Sequence, residues 1–167
     1  NLSAAQIRQP DFVAVVRHIL DTSGFPAELL ELELTESALM QYEDETIALL
    51  HDLKALGVKL ALDDFGTGYS SLAYLKHFPL DLLKIDKSFV DDLPSGVKEL
   101  KIVMTIVQMG RSLGFQLLAE GVEREEQSGC LRSLGCNLHQ GYLYSKPLPA
   151  DDFAELLLRQ QGASGTG

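Results

Sequence analysis

Cysteine, positive charge and long apolar runs are all scarce in this sequence of 167 residues. The two cysteines, Cys130 and Cys136, lack a CxxC spacing and make no zinc site by themselves. Reduced thiols buried in a cytoplasmic protein suit them better. Lysine and arginine number 14 against 24 acids, a formal net charge of −10. Nucleic-acid binders carry the opposite balance, so no nucleic-acid partner is expected. No apolar run approaches the ~18 residues of a membrane span, and no membrane contact is expected of this segment. Its start, Asn1-Leu2-Ser3, has neither the basic region nor the apolar stretch of a signal peptide, and no initiator methionine. It reads as a piece of a longer cytoplasmic protein, whose parent could be membrane-anchored with this domain on the cytosolic side.

What is present is the composition of a globular domain, 46% hydrophobic and 23% charged, long enough for one core. A short pattern recurs: Leu56-Gly57-Val58-Lys59-Leu60, Leu113-Gly114-Phe115-Gln116-Leu117 and Leu134-Gly135-Cys136-Asn137-Leu138. Glycine after a last helical residue supplies the left-handed cap, and an apolar run follows at once. Each is therefore the corner from a helix into a strand. Helical spacing of apolar residues runs through Phe12, Val15, Val16, Ile19 and Leu20, through Ile47, Leu50, Leu53 and Leu56, through Leu100, Val103, Ile106, Val107 and Leu113, and through Phe153, Leu156 and Leu157. Strands are predicted at Leu30–Leu34, Lys59–Leu62, Leu82–Ile85, Gln116–Ala119 and Asn137–Tyr142. Helices alternating with short, mostly apolar strands imply a parallel sheet covered on both faces. No linker divides residues 1–160, and small polar residues 161–167 read as a disordered tail.

Parallel α/β folds bind ligands at the carboxyl ends of their strands. The predicted strands end on Glu33-Leu34-Thr35-Glu36, Asp63-Asp64-Phe65-Gly66, Lys84-Ile85-Asp86, Glu120-Gly121-Val122-Glu123 and Gln140-Gly141-Tyr142. Any one of these acids could cap a helix; five strand ends carrying ionisable or amide groups, with an Asp pair among them, are too many for caps alone. Adjacent carboxylates repel, and hard oxygen donors favour Mg²⁺ or Mn²⁺ to relieve the conflict. Two such ions ~3.5–4 Å apart are used to hydrolyse phosphate esters. Lys84 has two readings: a structural ion pair, or a group that holds the attacking water or offsets phosphate charge.

These segments, with Asn1-Leu2-Ser3 and the whole run Asp63-Asp64-Phe65-Gly66-Thr67-Gly68-Tyr69-Ser70-Ser71, resemble the motifs of EAL-domain cyclic di-GMP phosphodiesterases. They stand in the family's order over nearly the whole chain. The resemblance implies an α/β, TIM-like (β/α) barrel, incomplete because its N-terminal strands are absent from this chain, since eight strands need ~250 residues. It implies hydrolysis of cyclic di-GMP to linear pGpG with Mg²⁺ or Mn²⁺, in bacterial second-messenger signalling. By the same resemblance Asn1, Glu33 and Asp63 bind one ion. Asp63 bridges to a second, held by Asp64 and Glu120. Lys84 contacts the nucleophilic water, with Glu120 a candidate base. Gln140 lies beside the substrate, Glu36 anchors the loop from Asp64 to Ser71, and Asp86 and Glu123 support the site. A homodimer and upstream sensor or signalling domains are implied too. The chain lacks the family's Glu-x-Leu-x-Arg motif, which carries another metal ligand, so the segment alone is expected to be weak or inactive. The rival within the family is a degenerate domain that serves as a cyclic di-GMP receptor or interaction module. A sugar- or phosphate-handling barrel enzyme would explain the fold but not the motifs together.

Overall fold

The computed structural model of the chain describes residues 1–39, 43–66 and 75–164. A short helix α1 (Ala4–Ile7) leads into α2 (Phe12–Ser23), and a 3-10 turn at Ala27–Leu29 leads into β1 (Glu31–Thr35). Then come α3 (Glu36–Leu39), α4 (Glu43–Ala55), β2 (Lys59–Phe65) and β3 (Leu82–Ile85). Next are α5 (Lys87–Val90), α6 (Val97–Leu113), β4 (Gln116–Ala119), α7 (Glu125–Leu134), β5 (Leu138–His139) and α8 (Ala150–Ser164).

The five strands are parallel and lie in the order β1-β2-β3-β4-β5. Each strand neighbours the next in sequence, with no reversal of order. That is the wall of a βα barrel, because a doubly wound sheet would change direction at a switch point. The glycine corners seen in sequence make the returns: Gly57, Gly114 and Gly135 have φ of +94°, +81° and +94°, a region cheap only for glycine. Leu2 forms an isolated parallel bridge to Leu34 on the outer side of β1.

The core lies between the sheet and its helices. Leu34, Leu60, Leu62, Leu83 and Ile85 are fully buried, as are Leu50 and Leu53 of α4 and Val103 of α6. Cutting any of these leucines to alanine costs ~2–5 kcal/mol. β1 alternates instead of running apolar throughout: Leu32 and Leu34 are buried, while Glu31, Glu33 and Thr35 occupy the other face. The inner face of the wall is thus polar at its carboxyl end. Two helical faces expected to be covered are partly open. Val15 and Ile19 of α2, and Phe153 and Leu157 of α8, are exposed. β5 is shorter than the predicted Asn137–Tyr142, and β2 runs longer, to Phe65. α8 takes in residues 161–164 of the segment expected as a tail; residues 165–167 lie outside the described residues.

Candidate metal centre

Register determines which side chains meet. Side chains repeat every second residue along a strand. Thr35 pairs with Asp63, and Lys84 with Leu118. Glu33, Asp63, Lys84 and Glu120 therefore fall on one face near the carboxyl ends. The Lys84 Nζ lies 2.7 Å from Glu33 Oε1, 3.1 Å from Asp63 Oδ1 and 2.8 Å from Glu120 Oε1. Lys84 is 4% exposed. Burial opposes its charge, but hydrogen bonds to Glu120, Glu33 and Asp63 together outweigh burial and raise its pKa above the ordinary lysine value. It is an ammonium ion at neutral pH. One cation faces three carboxylates. Burial pushes the Glu120 pKa up, Lys84 draws it back only in part, and the Asp63 and Glu33 charges add to the rise.

The Asp pair needs a local irregularity. Adjacent residues of a regular strand point to opposite faces, so Asp63 and Asp64 could not serve one site there. The β2–β3 register shifts between Leu62 and Phe65, and Asp64 has φ +54°. Aspartate is among the few residues that tolerate this left-handed region. The bulge re-aims its side chain, as bulges beside functional sites do. Asp63, Asp64 and Glu120 then each present a carboxylate oxygen within 4.8 Å of the others. The Asp64 N–H donates to Asp63 Oδ1 at 3.1 Å. Burial, with the Asp63 and Asp86 charges, raises the Asp64 pKa. An all-oxygen cradle of mutually repelling carboxylates fits a hard divalent cation such as Mg²⁺ or Mn²⁺.

The remaining candidates are spread around this rim. Glu36 is 4% exposed; its Oε2 accepts from the Gly66 N–H at 3.4 Å, and its buried Oε1 has no hydrogen-bond partner among the described residues. It thus meets the start of the segment from Asp64 to Ser71, of which residues 67–71 lie outside the described residues. Asp86 caps α5, accepting from the Ser88 N–H at 3.0 Å. Glu123 pairs with Lys87, away from Lys84. Gln140 is exposed just beyond β5, its N–H donating to the Ala119 carbonyl at 2.8 Å. Leu2 donates its N–H to the Glu33 carbonyl at 2.7 Å, which brings Asn1 to the β1 edge. A cleft of about 280 Å³ lined by Ala4, Ile7, Pro10, Thr46 and Leu49 lies elsewhere, between α1 and α4.

Sequence reading missed two polar contacts. Lys54 of α4 pairs with Asp81, at the opposite end of the sheet. Gln127 of α7 is fully buried. Its only signal was its place, third in a helix behind Glu125 and Glu126, where Gln often bonds back to the cap.

A family model described as the EAL domain matches residues 1–147. The cyclic di-GMP phosphodiesterase NbdA of Pseudomonas aeruginosa is 48% identical over 157 residues, covering 94% of this chain. The chain spans only 20% of the length of NbdA. The crystal structure of the EAL domain of Mycobacterium smegmatis DcpA superimposes with a TM-score of 0.89 at 42% identity, over 95% of this chain and 71% of that one. The manganese/cyclic di-GMP complex of Klebsiella pneumoniae BlrP1 gives 0.78 at 35% identity, over 85% of this chain and 36% of that one.

Proposed function

This chain belongs to the EAL domain family, and from that premise we propose that it carries out metal-dependent hydrolysis of cyclic di-GMP to linear pGpG within a longer protein. The observation behind the reading is the cradle of Asp63, Asp64 and Glu120 beside the buried Lys84. Homologues support it, since NbdA is a cyclic di-GMP phosphodiesterase and BlrP1 binds manganese with the dinucleotide.

Asn1, Glu33 and Asp63 would hold one Mg²⁺ or Mn²⁺, and Asp63, Asp64 and Glu120 would hold a second. A cation bound there supplies Lewis acidity toward the phosphodiester. Lys84 is protonated, so it cannot take the proton of the attacking water; its role is to orient that water by donating to it and to offset phosphate charge. Glu120 is the candidate base, because its carboxylate lies 2.8 Å from the Lys84 ammonium that would orient the water. Gln140, exposed on the rim, contacts substrate. Glu36 steadies the loop that begins at Gly66, while Asp86 and Glu123 support neighbouring backbone and Lys87. The domain works in the cytoplasm as a homodimer, under sensor or signalling domains elsewhere in the chain's parent.

The test is product analysis by chromatography on the parent protein. Linear pGpG should appear with Mg²⁺ or Mn²⁺ and vanish in excess EDTA. Tight cyclic di-GMP binding with no linearisation under either metal would move the reading to a receptor. Full turnover in chelator would end the metal assignment.

A further inference from the structure

Gln127 is a polar side chain with no exposed surface, in the first turn of α7. Its amide is bonded on both sides. Oε1 accepts from the backbone N–H groups of Glu123 and Arg124, each at 2.9 Å. Nε2 donates to the carbonyls of Val90 at 3.0 Å and Asp91 at 3.3 Å. The first pair is ordinary capping by the third helical residue. The second is not, because Val90 and Asp91 belong to the segment that follows β3. One side chain thus ties the exit from Glu120 to the exit from Lys84. Only an amide offers both the two acceptor lone pairs and the two donors this requires.

The tie falls close to the candidate centre. Gly121 follows Glu120 with φ +66°, so the chain turns immediately at a residue that resists little. A Cβ at Gly121 would lie 2.3 Å from the Lys87 side chain, so the two exits touch there. Arg124 reinforces the contact, its Nη2 donating to the carbonyls of Asp91 at 2.7 Å and Leu93 at 3.0 Å. On the other side the Val122 N–H donates to the Gln140 carbonyl at 3.0 Å. The segment after Glu120 is therefore held by both neighbouring loops, and the buried amide is the central anchor.

We propose that Gln127 is a positioning residue, which sets the Glu120 carboxylate against Asp63 and Asp64 and so tunes affinity for a divalent cation. The proposal rests on reading that cradle as a metal centre. Groups that orient ligands in this way change metal affinity by ~10–100-fold when removed.

The probe is Mn²⁺ titrated calorimetrically into the parent protein, alongside thermal unfolding. Gln127→Met keeps the bulk and removes all four bonds. It should weaken Mn²⁺ binding about tenfold at temperatures where it is folded. Lys54→Met, at the far end of the sheet, should lower Tm and leave Mn²⁺ affinity unchanged. Gln127→Glu keeps the acceptor, loses both N–H donors and sets a buried carboxylate oxygen against the Val90 and Asp91 carbonyls, so it should weaken binding at least as much. In a Glu120→Gln background, Gln127→Met should weaken binding no further, the sign that the two act as one. A folded Gln127→Met with wild-type Mn²⁺ affinity overturns the proposal. So does an equal loss in Lys54→Met, or a full additional loss on top of Glu120→Gln. If Gln127→Met does not fold, Gln127→Asn, which keeps the amide and shortens its reach, faces the same comparisons. A wild-type parent protein that binds no Mn²⁺ overturns the metal reading itself, and this proposal with it.

Discussion

The sheet carries a lysine–carboxylate contact at each end, and the two are built differently. At the carboxyl end Lys84 is 5% exposed in its side chain and meets Glu33, Asp63 and Glu120. At the amino end Lys54 is 30% exposed and, among the described residues, pairs with Asp81, which also accepts from the Leu60 N–H at 2.8 Å. The Lys54 contact is balanced, one charge against one, with Lys54 Nζ donating to both Asp81 oxygens and the Leu60 N–H to one of them. It fastens α4 and β2 to the start of β3, and nothing is left over for a ligand. The Lys84 contact is unbalanced, three carboxylates against one ammonium, in a place where burial raises the Glu120 pKa. An end that holds excess carboxylate charge in poor solvation suits a cation; an end that neutralises itself is a fastener. Stability and function have been separated along the strands, as barrel enzymes separate them.

Lys84→Met should break this contrast most severely. Removing one partner of a buried charge cluster costs ~3–5 kcal/mol, and hydrolysis should be lost. The carboxylates left behind repel, so their folded pKa values rise and the variant should be less destabilised at pH 5 than at pH 7. Denaturant unfolding at the two pH values checks the sign. A variant equally stable at both would mean that Lys84 does not neutralise the cluster.

Asp63→Asn should lower kcat about 100-fold or more, and Asp64→Asn clearly less, because Asp63 contacts Lys84 and is the proposed bridge. Steady-state kinetics on the parent protein compares them. Matching residual activity would remove the special role given to Asp63.

Metal and protons should compete at the carboxyl end only. Glu120 and Asp64 have folded pKa values raised above the unfolded ones. Their contribution to stability is therefore greatest below the unfolded carboxylate range, near pH ~4. It is lost as pH rises through the folded values. Mn²⁺ needs the ionised forms, so its effect runs the other way. At 100 times its Kd it stabilises by about 2.7 kcal/mol, and the Tm gain should be larger at pH 7.5 than at pH 5. An equal gain at both would place the ion on other groups.

The smallest effect belongs to the amino end. Asp81→Ala should cost ~1 kcal/mol, discounted for the exposure of the pair, and leave hydrolysis and Mn²⁺ affinity untouched. A large loss of activity would mean the two ends are coupled through β3.

Much of the wall was legible in the residues. Leu82–Ile85 and Gln116–Ala119 are strands as read, and the three Leu-Gly corners end helices with left-handed glycines. The helix at Phe153, Leu156 and Leu157 forms, yet Phe153 and Leu157 stay exposed. Periodicity reports which residues share a face, not what covers that face. The Asp pair was legible as two adjacent acids, but not as two acids on one side. Alternation forbids that in a regular strand, and only the bulge at Asp64 permits it. Gln127 was not singled out in the sequence, because its tie to Val90 and Asp91 depends on where the preceding loop returns.

The sequence by itself determined the order of strands and helices, the corners between them and the acids carried to each strand end. These follow from backbone preferences and side-chain periods that act over a few residues. Tertiary structure alone decided that Glu33, Asp63 and Glu120 share the single ammonium of Lys84, and that Lys54 and Asp81 close off the other end. Those meetings depend on the register of four strands laid side by side, and register is fixed by the packing of the whole sheet against its helices.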